Sequence, residues 1–296
     1  MIRRDFLKTS TLSALGISLL SATDTFGQFF STDEKAIGTA KNIIFLVSDG
    51  MSNGTLTMAN LLSSRMYGRE SKWISLYHEN KVVRSFMDTA SANCMVTDSA
   101  ASSSAWGGGV RVNNGRLNVN ADGSFNTPIL QKFKTAGKKV GCVTTVPITH
   151  ATPAGFCIAN KSRNNQAEIA LQYLPLKFDV MMGGGDKYFN ASKRSDGADV
   201  YSQFEQADYQ VVKTKRQMLA LDHKKPILGV FDHDALPFSI DYVHDQKYQS
   251  TIPTLSEMTM KAIELMKDHH EGFVLQVEGG KVDWAAHGND IAGSIN

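Results

Sequence analysis

The sequence has 296 residues, of which 42% are hydrophobic and 20% charged. This composition excludes collagen-like, coiled-coil and intrinsically disordered chains, and the length is enough for one large or two medium cores. A formal charge of +2 over that length leaves no electrostatic footprint for nucleic acid.

Residues 1–27 read as a leader and not as part of the fold. Arg3, Arg4 and Lys8 precede the apolar stretch Leu12–Ala22. That stretch is far shorter than the roughly 20 apolar residues a spanning helix needs. The run Arg3-Arg4-Asp5-Phe6-Leu7-Lys8 resembles the twin-arginine export signal, a route for folded proteins. The chain from 28 to 296 is therefore expected in the periplasm or outside the cell, with no membrane span of its own.

Asn42–Val47 has the length and β-branched content of a buried strand. Asp49 follows it in Val47-Ser48-Asp49-Gly50-Met51, which is either a carboxylate at the top of a sheet or an Asp-Gly turn. Thr97-Asp98-Ser99-Ala100-Ala101-Ser102 opens a helix whose small residues suit close packing against a sheet. Ser99 then either lies where backbone N–H groups face an anion or acts only as an N-cap. Ala121–Thr127 is a polar surface loop. A helix over Ile129–Ala136, ended by Gly137, leads into a strand at Val140–Val146.

His150-Ala151-Thr152-Pro153-Ala154 comes next. On an extended stretch His150 and Thr152 face the same side, so an imidazole and a hydroxyl could share a metal or its bound water. Arg163 offers a planar fork for phosphate or carboxylate, against the plainer alternative of a solvated charge. A helix at Gln166–Leu174 and strands at Phe178–Met182 and Ile227–Phe231 follow. After Pro253, residues Leu255, Met258, Ala262, Leu265 and Met266 share one helix face. The strand Phe273–Val277 is closed by Glu278. Asp283 and His287 stand one helical turn apart, good spacing for a divalent metal such as zinc, or a surface ion pair. Cys94, Cys142 and Cys157 form no closed disulfide framework and no Cys-x-x-Cys pair, and Cys142 reads as a small core residue.

Strands alternating with helices predict an α/β fold with a mostly parallel sheet. Its chemistry then collects at the carboxyl ends of strands.

Taken in order, these segments resemble the alkaline phosphatase family. The Thr97-Asp98-Ser99-Ala100-Ala101-Ser102 run is similar to its nucleophile motif. The Asp49-Gly50-Met51, Ala151-Thr152-Pro153-Ala154, Met182-Gly183-Gly184-Gly185 and Val277-Glu278-Gly279 segments match as well. The resemblance runs from about Lys41 to the end. It implies a three-layer sandwich with helices on both faces of the sheet, and hydrolysis of small-molecule phosphate monoesters through a phosphoserine. It further implies two zinc ions and a third, usually magnesium, ion, and a homodimer.

By the same resemblance, Ser99 is the nucleophile and Arg163 clamps the phosphate. Asp49 bridges a zinc and the third site, Thr152 and Glu278 are further ligands of that site, and Asp283 and His287 belong to the other zinc. His150 stands where many members carry an acid, and Trp284 where they often carry Lys. An imidazole suits zinc or cobalt better than magnesium, so the third metal is expected to be less strictly magnesium. The family's further Asp-His pair and its later His have no match here. Asp232-His233 lies in a loop segment, and His269 and His270 read as solvated. On this reading the sequence is the N-terminal part of a catalytic domain, inactive alone. A related phosphodiesterase or sulfatase, and a non-catalytic metal- or phosphate-binding protein, are the alternative readings.

Overall fold

Six strands order every other element of the molecule. The computed structural model describes residues 40–222 and 225–296, so the expected leader over 1–27 lies outside the described residues. The strands are β1 (Ile43–Ser48), β2 (Lys139–Pro147), β3 (Val180–Gly184), β4 (Gln210–Val212), β5 (Ile227–Val230) and β6 (Phe273–Gly279). They form one sheet in the order β1-β6-β2-β3-β5-β4, and every pairing is parallel. The fold is α/β, as expected.

Side chains alternate across the sheet, and that alternation creates two cores. Phe273, Leu275 and Val277 of β6 enter one core with Val143, Met182 and the helix Leu255–Met266. That helix starts at a capping box in which Thr254 and Glu257 each satisfy the other's backbone N–H. Met258, Ala262, Leu265 and Met266 are its buried stripe. Val274 of β6 enters the opposite core with Val140 and Cys142 of β2. The helices Ile129–Thr135, Ala151–Cys157, Gln166–Tyr173 and Val200–Gln206 supply the rest of that layer. Cys142 and Cys157 are fully buried there, with their sulfurs 3.9 Å apart and unbonded, and Cys94 is exposed.

Two local expectations change. Ala151–Cys157 is a helix, with His150 at its N-cap in extended geometry, so His150 and Thr152 are not neighbours on a strand. Pro153 sits in the first turn of that helix, where its missing N–H removes no internal hydrogen bond. The Ser99–Gly108 helix packs chiefly on this second helix: a Cβ at Gly107 would lie 2.2 Å from the Gly155 carbonyl oxygen, and one at Gly155 only 2.1 Å from Ser103 Oγ. The run of small residues therefore lets two helices touch backbone to backbone. Phe45 of β1 seals the gap below them, its ring centroid 5.4 Å from Trp106 and 5.0 Å from Phe156.

Candidate active site

β1, β6 and β2 are adjacent and parallel, so their carboxyl ends open at one place. β1 runs out at Ser48 and delivers Asp49, β6 delivers Glu278 near its end, and β2 leads to His150. One candidate ligand atom from each of Asp49, His150 and Glu278 lies within 4.8 Å of the other two. Gly50 allows this closeness. Its φ is +65°, and a Cβ there would stand 2.7 Å from Asp283 Cα, so only glycine lets the Asp49 loop rest on the Lys281–His287 helix.

Ser99 is the first residue of its helix, and Asp98, not Ser99, is the N-cap, accepting from the Ala101 N–H. Ser99 Oγ is thus free to point elsewhere, and it donates to Asp49 Oδ2 at 3.1 Å. The other oxygen of Asp98 accepts from the Gly115 N–H at 2.8 Å and from Arg163 Nη1 at 3.1 Å. Arg163 Nη2 lies 3.3 Å from His150 Nε2. Arg163 is therefore a half-buried, oriented guanidinium and not a solvated charge. A cleft of about 420 Å³ is lined by Asp49, Ser99, Thr152, Arg163, Asp283 and His287 among others. Asp283 Oδ1 and His287 Nε2 are 3.6 Å apart, and the His287 side chain is 81% exposed. All eight residues singled out in the sequence thus gather at this strand edge.

Sequence reasoning passed over Thr144 and Asp98. Thr144 Oγ1 donates to Glu278 Oε2 at 2.5 Å from the neighbouring strand. The Thr144-Thr145 pair in the middle of β2 was its only signal, and nothing in it set one threonine apart from the other. Asp98 takes the capping role that the sequence offered to Ser99, and its hold on Arg163 left no local signal, because 65 residues separate them.

The electrostatics favour a cation. Glu278 is fully buried, and its carboxyl is pushed up to about 8, first by burial and then by the Asp49 charge. Asp49 is raised to about 6 by burial and by Asp283, with the Ser99 hydrogen bond opposing. Burial, then Arg163, lowers His150 to about 4, so its ring is neutral at pH 7 and holds one lone pair. Glu278 Oε1 and His150 Nδ1 are buried and have no protein partner. The orphaned Glu278 oxygen is costly unless something electrophilic meets it. Arg163 only donates, so while it bonds His150 Nε2 the unpartnered Nδ1 carries the ring proton, and ligation through Nδ1 needs the other tautomer. Two carboxylates and an imidazole suit a divalent ion, so these residues fit the metal that the resemblance implies.

A parallel α/β sheet with an oriented serine, an anchored guanidinium and a cation-seeking cluster at its carboxyl edge defines a class of phosphate-handling metalloproteins. Comparison with known proteins narrows it. The alkaline phosphatase family model matches residues 40–296, and the chain belongs to that family. It is 30% identical to alkaline phosphatase 4 of Bacillus subtilis, over 98% of this chain and 63% of that protein. It is 33% identical to alkaline phosphatase 3 of the same organism, over 86% and 54%. The crystal structure of Thermus thermophilus alkaline phosphatase superposes with a TM-score of 0.80 at 37% identity, covering 86% of this chain and 53% of that one. A cold-active alkaline phosphatase from a Shewanella species gives 0.74 at 32%, covering 86% and 60%. The chain spans 54–63% of the length of the two Bacillus relatives.

Proposed function

We propose that the chain carries the nucleophile, phosphate clamp and part of the metal-binding set of an enzyme that hydrolyses phosphate monoesters through a phosphoserine at Ser99. The observation that carries this reading is the Ser99 Oγ–Asp49 Oδ2 hydrogen bond of 3.1 Å beside the Arg163–Asp98 pair. It joins a nucleophile, an acceptor for its proton and a phosphate fork in one cleft.

The chain's residues divide the work as follows. Arg163 presents two parallel N–H groups to two phosphate oxygens, and Asp98 holds its plane. The N–H groups at the start of the ten-residue helix Ser99–Gly108 face the same dianion. Ser99 Oγ bonds to phosphorus as the ester P–O bond breaks and the alcohol departs. Water then attacks phosphorus, the Oγ–P bond breaks, and inorganic phosphate leaves with Ser99 regenerated. Asp49 accepts the serine hydrogen bond before attack and takes up the hydroxyl proton as Oγ bonds to phosphorus, the departing oxygen taking its proton from water. When water later cleaves the Oγ–P bond, the proton returns to Oγ. Asp49, His150, Thr152 and Glu278 would hold one divalent ion, and Asp283 with His287 would contribute to a zinc. Bound metals supply Lewis-acid stabilisation of the attacking and leaving oxygens.

The imidazole of His150 supports zinc or cobalt over magnesium at the first of these positions. Strict magnesium dependence after chelation and re-addition would overturn that preference. We also propose export through the Arg3-Arg4 leader. Among the described residues no helix is long and apolar enough to cross a membrane. The family's remaining zinc ligands match no residue of this sequence, so the 296-residue chain alone is proposed to bind metal and phosphate with little turnover.

Acid-quench trapping tests the reading. With a phosphate monoester and zinc present, the wild-type chain is expected to show phosphate on the Ser99 peptide by mass spectrometry, and Ser99→Ala none. Labelling that survives Ser99→Ala would refute the assignment.

A further inference from the structure

β6 carries a second polar side chain on the face that bears Glu278. Because Phe273, Leu275 and Val277 all enter the opposite core, Gln276 and Glu278 share the face of Val274. The strand register agrees: Gln276 stands between Phe45 of β1 and Cys142 of β2, while Glu278 stands beside Thr144. Gln276 is 0% exposed, yet neither its Oε1 nor its Nε2 has a protein partner. Glu278 Oε1, two residues along, is orphaned in the same way.

Leaving a buried amide unpaired is destabilising, and an apolar side chain of the same size would avoid that loss. Two orphaned groups on one strand face point to a shared partner. Two residues of parallel strand span about 6.6 Å. One water making two hydrogen bonds of about 2.8 Å bridges nearly that distance, and the side chains need to lean together by only about 1 Å. Polarity sets the direction in the metal-bound state. A ligating carboxylate is ionised and accepts only, so the water donates to Glu278 Oε1 and accepts from Gln276 Nε2–H.

We propose that Gln276 is a positioning residue which, through one ordered internal water, aims Glu278 at the divalent ion. This rests on the metal reading of the Asp49–His150–Glu278 cluster given above. Groups that orient a metal ligand in this way typically change metal affinity by about 10- to 100-fold when removed.

The test uses the whole chain and Zn²⁺ itself. Zinc affinity is measured by competition with a chromophoric chelator for wild type, Gln276→Met and Glu278→Gln, together with the Tm of each metal-free protein. Glu278→Gln identifies the zinc equivalent that belongs to this site. Gln276→Met is expected to weaken that equivalent by about 10- to 100-fold while the metal-free Tm stays level or rises. An unchanged affinity with a raised Tm would mean the amide merely occupies space, and would overturn the inference alone. Wild-type protein that binds no zinc would overturn the metal reading, and this inference with it. Should Gln276→Met fail to fold, Gln276→Asn keeps an amide but withdraws it by one carbon. It too must weaken zinc binding if the inference holds, and equal affinity refutes it.

Discussion

Two places at the carboxyl edge of one sheet carry the same kinds of side chain and do different things. At the β1-β6-β2 end stand Asp49, Glu278 and His150. At the β3-β5 end stand Asp232, His233 and Asp234, just past Val230. The second group is partly engaged within the protein and otherwise open to water. The Asp232 carbonyl oxygen accepts from the N–H groups of Gly185 and Asp186, and the His233 carbonyl oxygen accepts from that of Lys187. Asp232 Oδ1 caps the His233 N–H, and Asp234 Oδ2 is paired with Lys187 at 2.9 Å. The loop is half-buried to exposed, with water available to whatever remains unpaired. In the first group Glu278 is fully buried, and a Glu278 oxygen and a His150 ring nitrogen remain buried without a protein partner. Residue type is therefore a poor guide to a metal site. Burial together with unmet acceptor capacity is the better one.

The sharpest way to break this comparison is to delete one member on each side. Glu278→Ala is expected to weaken zinc binding by more than ~100-fold, beyond the range for groups that merely support a ligand. Asp232→Asn and His233→Ala should change it by less than about twofold, since neither belongs to the cluster and surface changes of this kind usually matter little. Chelator competition reads both. Comparable losses at the two ends would remove the distinction drawn here.

A pH experiment without metal sharpens it next. The folded pKa of Glu278 is raised from 4.5 to about 8, so the folded state binds more protons than the unfolded one between these values. Stability from this group is present at low pH and is lost as pH rises through about 8. His150 acts oppositely, because its folded pKa is lowered from 6.5 to about 4, but its effect ends near 6.5. The window between about 6.5 and 8 thus isolates Glu278. The metal-free protein is expected to lose on the order of 2 kcal/mol across it, at about 1.4 kcal/mol per pH unit. Glu278→Gln should flatten the Tm–pH profile there, and Asp234→Asn should leave it sloping. A flat wild-type profile would show that Glu278 is not held in a water-poor site.

Much of this was readable in advance. Apolar runs of strand length located five of the six strands, four of them because strands covered on both faces lose their polar alternation. The edge strand β1, expected to be buried, instead leaves Ile43, Ile44 and Leu46 exposed. The spacing of Leu255, Met258, Ala262 and Leu265 marked the helix covering one face. The short edge strand Gln210–Val212 escaped, since three residues carry no pattern. So did the helix Asn53–Tyr67, where only Thr55 is buried and Met58, Leu61 and Met66 stay exposed. The extended reading of His150 to Thr152 failed for another reason. A Thr-Pro pair suits both a strand end and a first helical turn, and the backbone approach through Gly155 decides between them. Ser99, Asp49, Glu278 and Arg163 were visible as motif residues. What could not be seen was the cross-strand register that sets Thr144 against Glu278, a pairing 134 residues apart.

The smallest expected effect lies at the β3-β5 end, where Lys187→Met removes the partner of Asp234. That pair is short, yet its side chains are 30% and 43% exposed. Water and salt then screen the attraction, and a freed Asp234 can hydrate in place. The loss should be below about 1 kcal/mol by denaturant titration, and it should shrink further in 1 M salt. At the other end Glu278 has 0% exposure, so its charge has no bulk water to screen it. A Lys187→Met cost of several kcal/mol that persisted in high salt would show that the β3-β5 loop holds a desolvated ion pair. The two ends of the sheet would then differ only in whether the buried charge already has its counter-ion.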